Sequence, residues 1–117
     1  MGSRSTVEDQ QLDVLFTALS DRTRRDIVAR LSTGEATVKE LAEPYAMTMQ
    51  AVSQHIRVLE RSGLISQGRH RQTRPCRLEP AAFEAALSWI EESRRSWSER
   101  MDRLETHLAH LQERGSQ

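Results

Sequence analysis

Thr48, Gln50, Ser53, Gln54 and Arg57 fall along one side of a short stretch of the chain. Their amide, hydroxyl and guanidinium groups gain little from display to water. They pair well with a surface that presents hydrogen-bond donors and acceptors in return. On the other side, Ala51, Val52, Ile56 and Leu59 recur at helical spacing and form a face that must be buried. Thr48 is a natural N-cap and Gly63 a natural stop, so "TMQAVSQHIRVLERSGLI" predicts one helix with a polar outer row. Such a row suits the edges of base pairs. Gln50 and Gln54 can pair bidentately with adenine, Ser53 can serve a donor or an acceptor edge, and Arg57 can reach guanine or a phosphate. His55 sits at the border of the buried face. It can buttress the helix or bond a phosphate through one ring nitrogen, and a backbone or phosphate contact is preferred here to a base contact.

The elements around that helix explain how it would be held. Leu12, Leu15, Phe16 and Leu19 predict an amphipathic helix over about residues 8–19. Ser20 or Asp21 can cap the next helix, which buries Ile27, Val28 and Leu31 and ends before Gly34. Thr37 with Glu40 three residues on is a capping box, and Pro44 keeps the helix it opens short. "LISQ" and "TRPCRL" flank "GRHRQ" and predict a β-hairpin with a basic tip. Pro75 cannot donate to a ladder, which predicts an edge or irregular strand there. A short helix, a brief turn, a helix with a polar outer face and a basic hairpin together make a winged helix-turn-helix. Arg69, His70 and Arg71 at the hairpin tip suit the phosphate backbone or the minor groove.

The formal net charge is zero, but the charges are segregated. Residues 47–77 hold six arginines against Glu60 alone, a net of +5; residues 78–117 hold five arginines against eight acids, a net of −3. A neutral chain with one concentrated basic segment implies a localised anionic partner, double-stranded DNA in this reading. A solvated charged surface is the plainer alternative.

From Ala81 to Arg114 there is neither Gly nor Pro. Phe83, Leu87, Ile90, Arg94, Trp97, Met101, Leu104, Leu108 and Leu111 recur at steps of four and three, a heptad seam interrupted once by Arg94. A second copy of the chain is the expected cover. The other arrangement is two shorter helices folded back on the domain, with a bend near Arg94. The interface expected between copies joins Leu12, Leu15 and Phe16 to Leu87, Ile90, Trp97, Met101, Leu104 and Leu108. Trp89 is expected to pack. The fold class is mainly α with a small β-hairpin: a winged helix-turn-helix that dimerises through its terminal helices. The expected division is a flexible N-terminus over 1–7, a DNA-binding domain over 8–79, a helical dimerisation region over 80–114 and a tail over 115–117.

"LSDRTRRDIVARLSTGEATVKELAE", "QAVSQHIRVLERSGLI" and "RPCRLEP" resemble the ArsR/SmtB-type winged-helix repressors over residues 12–80. "WSERMDRLE" resembles a subgroup with an extended C-terminal helix. The resemblance implies a homodimeric transcriptional repressor that occludes a palindromic operator and often controls its own operon. It also implies base contacts from Ser53, Gln54 and His55. Many members bind a metal through cysteines in the helix before the turn; "TVKELAE" has none, so that site is absent. A second family site uses carboxylates and histidines of the last helix, where this chain has Asp102, His107, His110 and Glu113. His107 and His110 share a face at a chelating spacing, but four ligands are needed, and solvated histidines are the preferred reading. No cofactor is expected, and the sequence names no effector.

Cys76, the one cysteine, excludes an internal disulfide. Arg74 and Arg77 would favour its thiolate if they approach it, making it a redox sensor; a buried small residue is the preferred role. No catalytic constellation stands out: there is no phosphate loop and no nucleophile elbow, and Ser53 and His55, two apart on a helix, point in different directions. The expectation is a non-enzyme. With no membrane span and no signal-like apolar core, the expected location is the cytoplasm. The competing class is a protein-interaction module whose basic hairpin docks on an acidic partner; the polar outer row lacks the aromatic anchors that class favours.

Overall fold

The computed structural model describes residues 6–68 and 74–115. The hairpin-tip candidates Arg69, His70 and Arg71 lie outside the described residues. Among the described residues, eight elements follow one another: α1 (Thr6–Ala18), α2 (Arg22–Leu31), β1 (Ala36–Thr37), α3 (Val38–Ala42), α4 (Met49–Arg61), β2 (Ile65–Gln67), β3 (Pro75–Leu78) and α5 (Pro80–Gly115). They fall into two compact units, divided between Ala86 and Leu87.

Local chemistry sets most helix ends in the first unit. The Asp21 carboxylate accepts from the Arg24 backbone N–H at 3.0 Å and caps α2. Thr37 and Glu40 form the reciprocal capping box of α3, the Thr37 hydroxyl accepting from Glu40 N at 3.2 Å and Glu40 Oε1 from Thr37 N at 3.0 Å. α4 starts at Thr48, whose hydroxyl accepts from Ala51 N at 3.1 Å. It stops where Gly63 takes φ +84°, a left-handed conformation that glycine adopts without a Cβ penalty. α1 begins at Thr6, so Thr6 and Val7, expected in a flexible terminus, are helical; Glu8 and Asp9 in the first turn complement the helix dipole there.

The sheet departs from a plain hairpin. β3 pairs antiparallel with β2 (Ile65 opposite Leu78, Gln67 opposite Cys76) and also with β1 (Ala36 opposite Cys76, Thr37 opposite Pro75). The order is β1-β3-β2, which makes β3 the central strand and corrects the edge position expected from Pro75. Pro75 is tolerated because it is the first residue of the strand, and its carbonyl still accepts from Gly68 N at 2.8 Å.

The core of this unit gathers Leu15 and Ala18 of α1, Ile27 and Leu31 of α2, Leu41 of α3, Val52, Ile56 and Leu59 of α4, then Leu64, Ile65, Cys76, Ala82 and Ala86. Leu15, expected at an interface between copies, is wholly buried in its own chain and offers no surface to a partner. Leu12 and Phe16 pack partly against the same core. In the second unit α5 runs on without a break through Arg94, so the alternative of two shorter helices with a bend there does not hold. Its residues from Leu87 onward are exposed apart from the half-buried Met101. Among the described residues, no helix is long and apolar enough to cross a membrane.

Candidate nucleic-acid interface

The interface candidate is the outer row of α4. Val52, Ile56 and Leu59 are buried, and this fixes the rotation of the helix about its axis. Thr48, Gln50, Gln54 and Arg57 are left exposed, with Ser53 half-buried beside them. Arg57 Nη1 donates to Gln54 Oε1 at 3.3 Å, so the two side chains lie together on the surface. Exposed Met49 extends the row at its N-terminal end, a position sequence reasoning did not single out.

Two clusters tie α4 and the turn before it to the rest of the unit, and neither was foreseen from sequence. In the first, the Arg24 guanidinium donates from Nε to the Ala18 carbonyl at 2.7 Å and from Nη2 to the Thr17 carbonyl at 3.1 Å. Its Nη1 lies 3.2 Å from His55 Nδ1, so one side chain joins the end of α1 to α4. His55 Nδ1 is also 3.8 Å from Asp21 Oδ2. His55 thus has an internal partner on α2 at its Nδ1. The backbone N–H of Arg24 holds the Asp21 carboxyl below its ordinary range, with the His55 and Arg24 charges adding to the effect.

In the second cluster, Arg30 donates to the carbonyls of Leu41 (2.8 Å) and Glu40 (3.0 Å), the free acceptors at the end of α3. Its guanidinium lies 5.7 Å from the ring centroid of Tyr45, in the turn between α3 and α4. Tyr45 donates its hydroxyl to Asp26, and burial followed by that bond pushes the phenol above its ordinary pKa. α2 therefore clamps both the helix before the turn and the turn itself. The only sequence signal was the charge density of "DRTRRDIVAR", which does not say what each arginine grips.

The strand side is less free than its charge suggests. Arg77 Nε lies 3.4 Å from Glu79 Oε1 and donates to Ser66 Oγ at 3.2 Å, so part of the basic segment is paired within the chain. Cys76 is buried and its thiol is pushed up to about 11, by burial first and the Glu60 charge second. The expected help from Arg74 and Arg77 toward a thiolate is absent, because desolvation governs the thiol. His107 and His110 are exposed on α5, and among the described residues no three His, Cys, Asp or Glu gather as metal ligands.

A helix-turn-helix domain model matches residues 19–67, the span from the end of α1 through β2. A crystal structure of an ArsR family transcriptional regulator superposes with a TM-score of 0.73 at 40% identity, covering 77% of this chain and 93% of that one. The chain belongs to the ArsR family of transcriptional regulators. The transcriptional repressor SdpR of Bacillus subtilis is 29% identical over 76 residues, 65% of this chain and 84% of SdpR. The homodimeric winged helix-turn-helix DNA-binding domain Mb0332 of Mycobacterium bovis shares the fold at a TM-score of 0.60 and 23% identity, covering 80% of this chain and 91% of that domain. As an ArsR family regulator with a helix-turn-helix, the chain acts in transcription through DNA. α3 and α4 are then the two helices of the motif, and β2 and β3 flank its wing.

Proposed function

We propose that the chain is a homodimeric repressor that occludes a two-fold symmetric operator, reading bases with α4 and gripping phosphates with the wing. The observation that carries this is the exposed row of Gln50, Gln54 and Arg57 on a helix whose opposite face is locked into the core. Gln50 and Gln54 specify adenine, Arg57 reads guanine or a phosphate, and Thr48 and Ser53 add hydroxyl contacts. Arg69, His70 and Arg71 are assigned to the backbone or the minor groove on sequence alone. His55 acts chiefly from behind, holding α4 against Arg24. Dimerisation runs through the terminal helices, residues 80–114 supplying most of it. The exposure of Leu87, Ile90, Trp97, Leu104 and Leu108 supports that role, as does the homodimeric state of the Mycobacterium bovis domain. Repression is supported by the likeness to the transcriptional repressor SdpR; occlusion is assigned as its means, and the chain's own promoter is assigned among its operators.

Selection of bound duplexes from a random library at physiological salt tests this. The expected result is a palindromic site with half-sites about one helical turn apart, present upstream of the chain's own gene. No enriched sequence would overturn the reading and turn attention to an acidic protein as the wing's partner.

A further inference from the structure

α1 and α4 leave a furrow between them that the DNA contacts proposed above do not use. Leu15 and Ala18 of α1 and Val52, Ile56 and Leu59 of α4 are sealed in the core. The residues bordering those faces, Val14 and Thr17 on one helix and Val58 on the other, line a groove of about 270 Å³. Val14 is 46% exposed and Val58 only partly buried, so apolar surface is open there. Asp13 lines the groove from α1 and Arg61 from α4, and both are exposed. Among the described residues, neither side chain makes an ion pair or hydrogen bond, with the other or with any third group.

We propose that this groove is a binding site for a small zwitterion with an apolar body, the chemistry of a free apolar α-amino acid. Arg61 takes the carboxylate, for which the guanidinium offers two parallel donors. Asp13, with the Thr17 hydroxyl one turn on along the same face of α1, takes the ammonium. The ligand's side chain lies on Val14 and Val58. Opposite charges on the two helices select the class. A simple carboxylic acid brings its anion beside Asp13 and a simple amine its cation beside Arg61, each a like-charge cost. A ligand carrying both charges satisfies both helices. Ligand clefts usually begin at about 300 Å³, so this one admits a single amino acid and not a peptide. The site also borders the DNA-reading row: Arg61 follows Arg57 by one turn on the same side of α4. A carboxylate held there neutralises a cation that phosphates would otherwise attract, so occupancy weakens DNA binding. That effect rests on the function proposed above; the site itself does not.

An amide-resolved NMR titration of the full chain, without DNA, tests the site. With L-leucine the expected result is saturable shifts at Asp13, Val14, Thr17, Val58 and Arg61 in the millimolar range. Leucinamide, which lacks the carboxylate, and isocaproate, which lacks the ammonium, should each bind at least about tenfold more weakly, the scale of one lost charge-assisted bond. Arg61→Gln and Asp13→Asn, exposed changes that leave the core intact, should lose affinity for leucine to the same degree. Equal binding of isocaproate, or leucine binding unmoved by Asp13→Asn, overturns the zwitterion. Shifts confined to other residues, or none with leucine, valine or methionine, overturn the site. Leucine that binds in the groove yet leaves affinity for the selected operator unchanged overturns the masking of Arg61. Failure to select any operator overturns the reading of α4 and leaves the leucine result standing.

Discussion

Arg24→Ala tests whether the clamp between α1 and α4 holds the domain together. Three contacts are lost: Nε to the Ala18 carbonyl (2.7 Å), Nη2 to the Thr17 carbonyl (3.1 Å) and Nη1 to His55 (3.2 Å). They are not equal. The Thr17 carbonyl keeps the Ser20 N–H at 3.1 Å and the Ser20 hydroxyl at 2.6 Å, so it stays satisfied. Ala18 is buried, and its carbonyl at the C-terminal end of α1 loses a charge-assisted donor. A hydrogen bond to a charged group is worth about 1.5–3 kcal/mol, and the half-exposed His55 contact adds less than a neutral bond, so the whole change costs about 2–3 kcal/mol. With a urea slope of about 1–3 kcal/mol/M, the midpoint should fall by roughly 0.7–3 M. The assay is equilibrium urea unfolding followed by far-UV dichroism, at one fixed protein concentration because association adds to stability by mass action. Arg24→Lys, which can serve one carbonyl but not the fork, should lie between the two. A loss of less than about 0.5 kcal/mol for Arg24→Ala, the scale of an ordinary surface substitution, would refute the clamp.

Four further outcomes are expected. Gln54→Ala should cost about 1–3 kcal/mol of discrimination at one base pair of the selected operator; an affinity loss of similar size on every sequence in a DNA titration series, with discrimination intact, would make Gln54 a phosphate contact. Thr48→Ala removes the α4 cap and should cost about 1 kcal/mol in urea unfolding, and no change in the midpoint would count against it. The Cys76 thiol is raised from 9.0 to about 11, so between those pH values it ionises in the unfolded chain while staying protonated in the folded one. Stability is therefore complete below pH 9 and falls through that window by about 2 kcal/mol, a dependence that Cys76→Ala should flatten in unfolding curves taken at several pH values. The Asp21 carboxyl is lowered from 3.8, so its contribution is present above about pH 4 and is lost as the pH falls through the lowered folded value. Asp21→Asn should show a shallower acid limb in the same curves; an unchanged limb would mean the cap carries no charge-dependent stabilisation.

Much of the site was legible because its determinants are local. Thr37 with Glu40, Thr48 with Ala51, and Gly63 after α4 act within a turn of where they stand, so spacing and residue type predict them. The buried Val52, Ile56 and Leu59 likewise follow from the period of a helix, and that period alone decides that Gln50, Gln54 and Arg57 face outward. The seam of α5 is of the same kind. The resemblance to ArsR regulators rested on blocks that include this stretch, and the 40% identical crystal structure has the same fold.

What only the tertiary structure decided lies between residues far apart in the chain. β1 is two residues long and has no pattern of its own; it exists because Cys76 and Pro75 offer it a ladder some forty residues later, and that moves β3 from the edge to the centre. Arg24 could have gripped a phosphate, an acid or a carbonyl, and sequence gives no distance to choose by; it grips the end of α1 and His55, 31 residues away. Leu15 and Phe16 stand together on one apolar stripe, yet the first is sealed in its own core and the second only partly covered. Periodicity tells which face of an element is apolar. What covers that face depends on the whole chain, because burial is a property of the packed assembly and not of the segment.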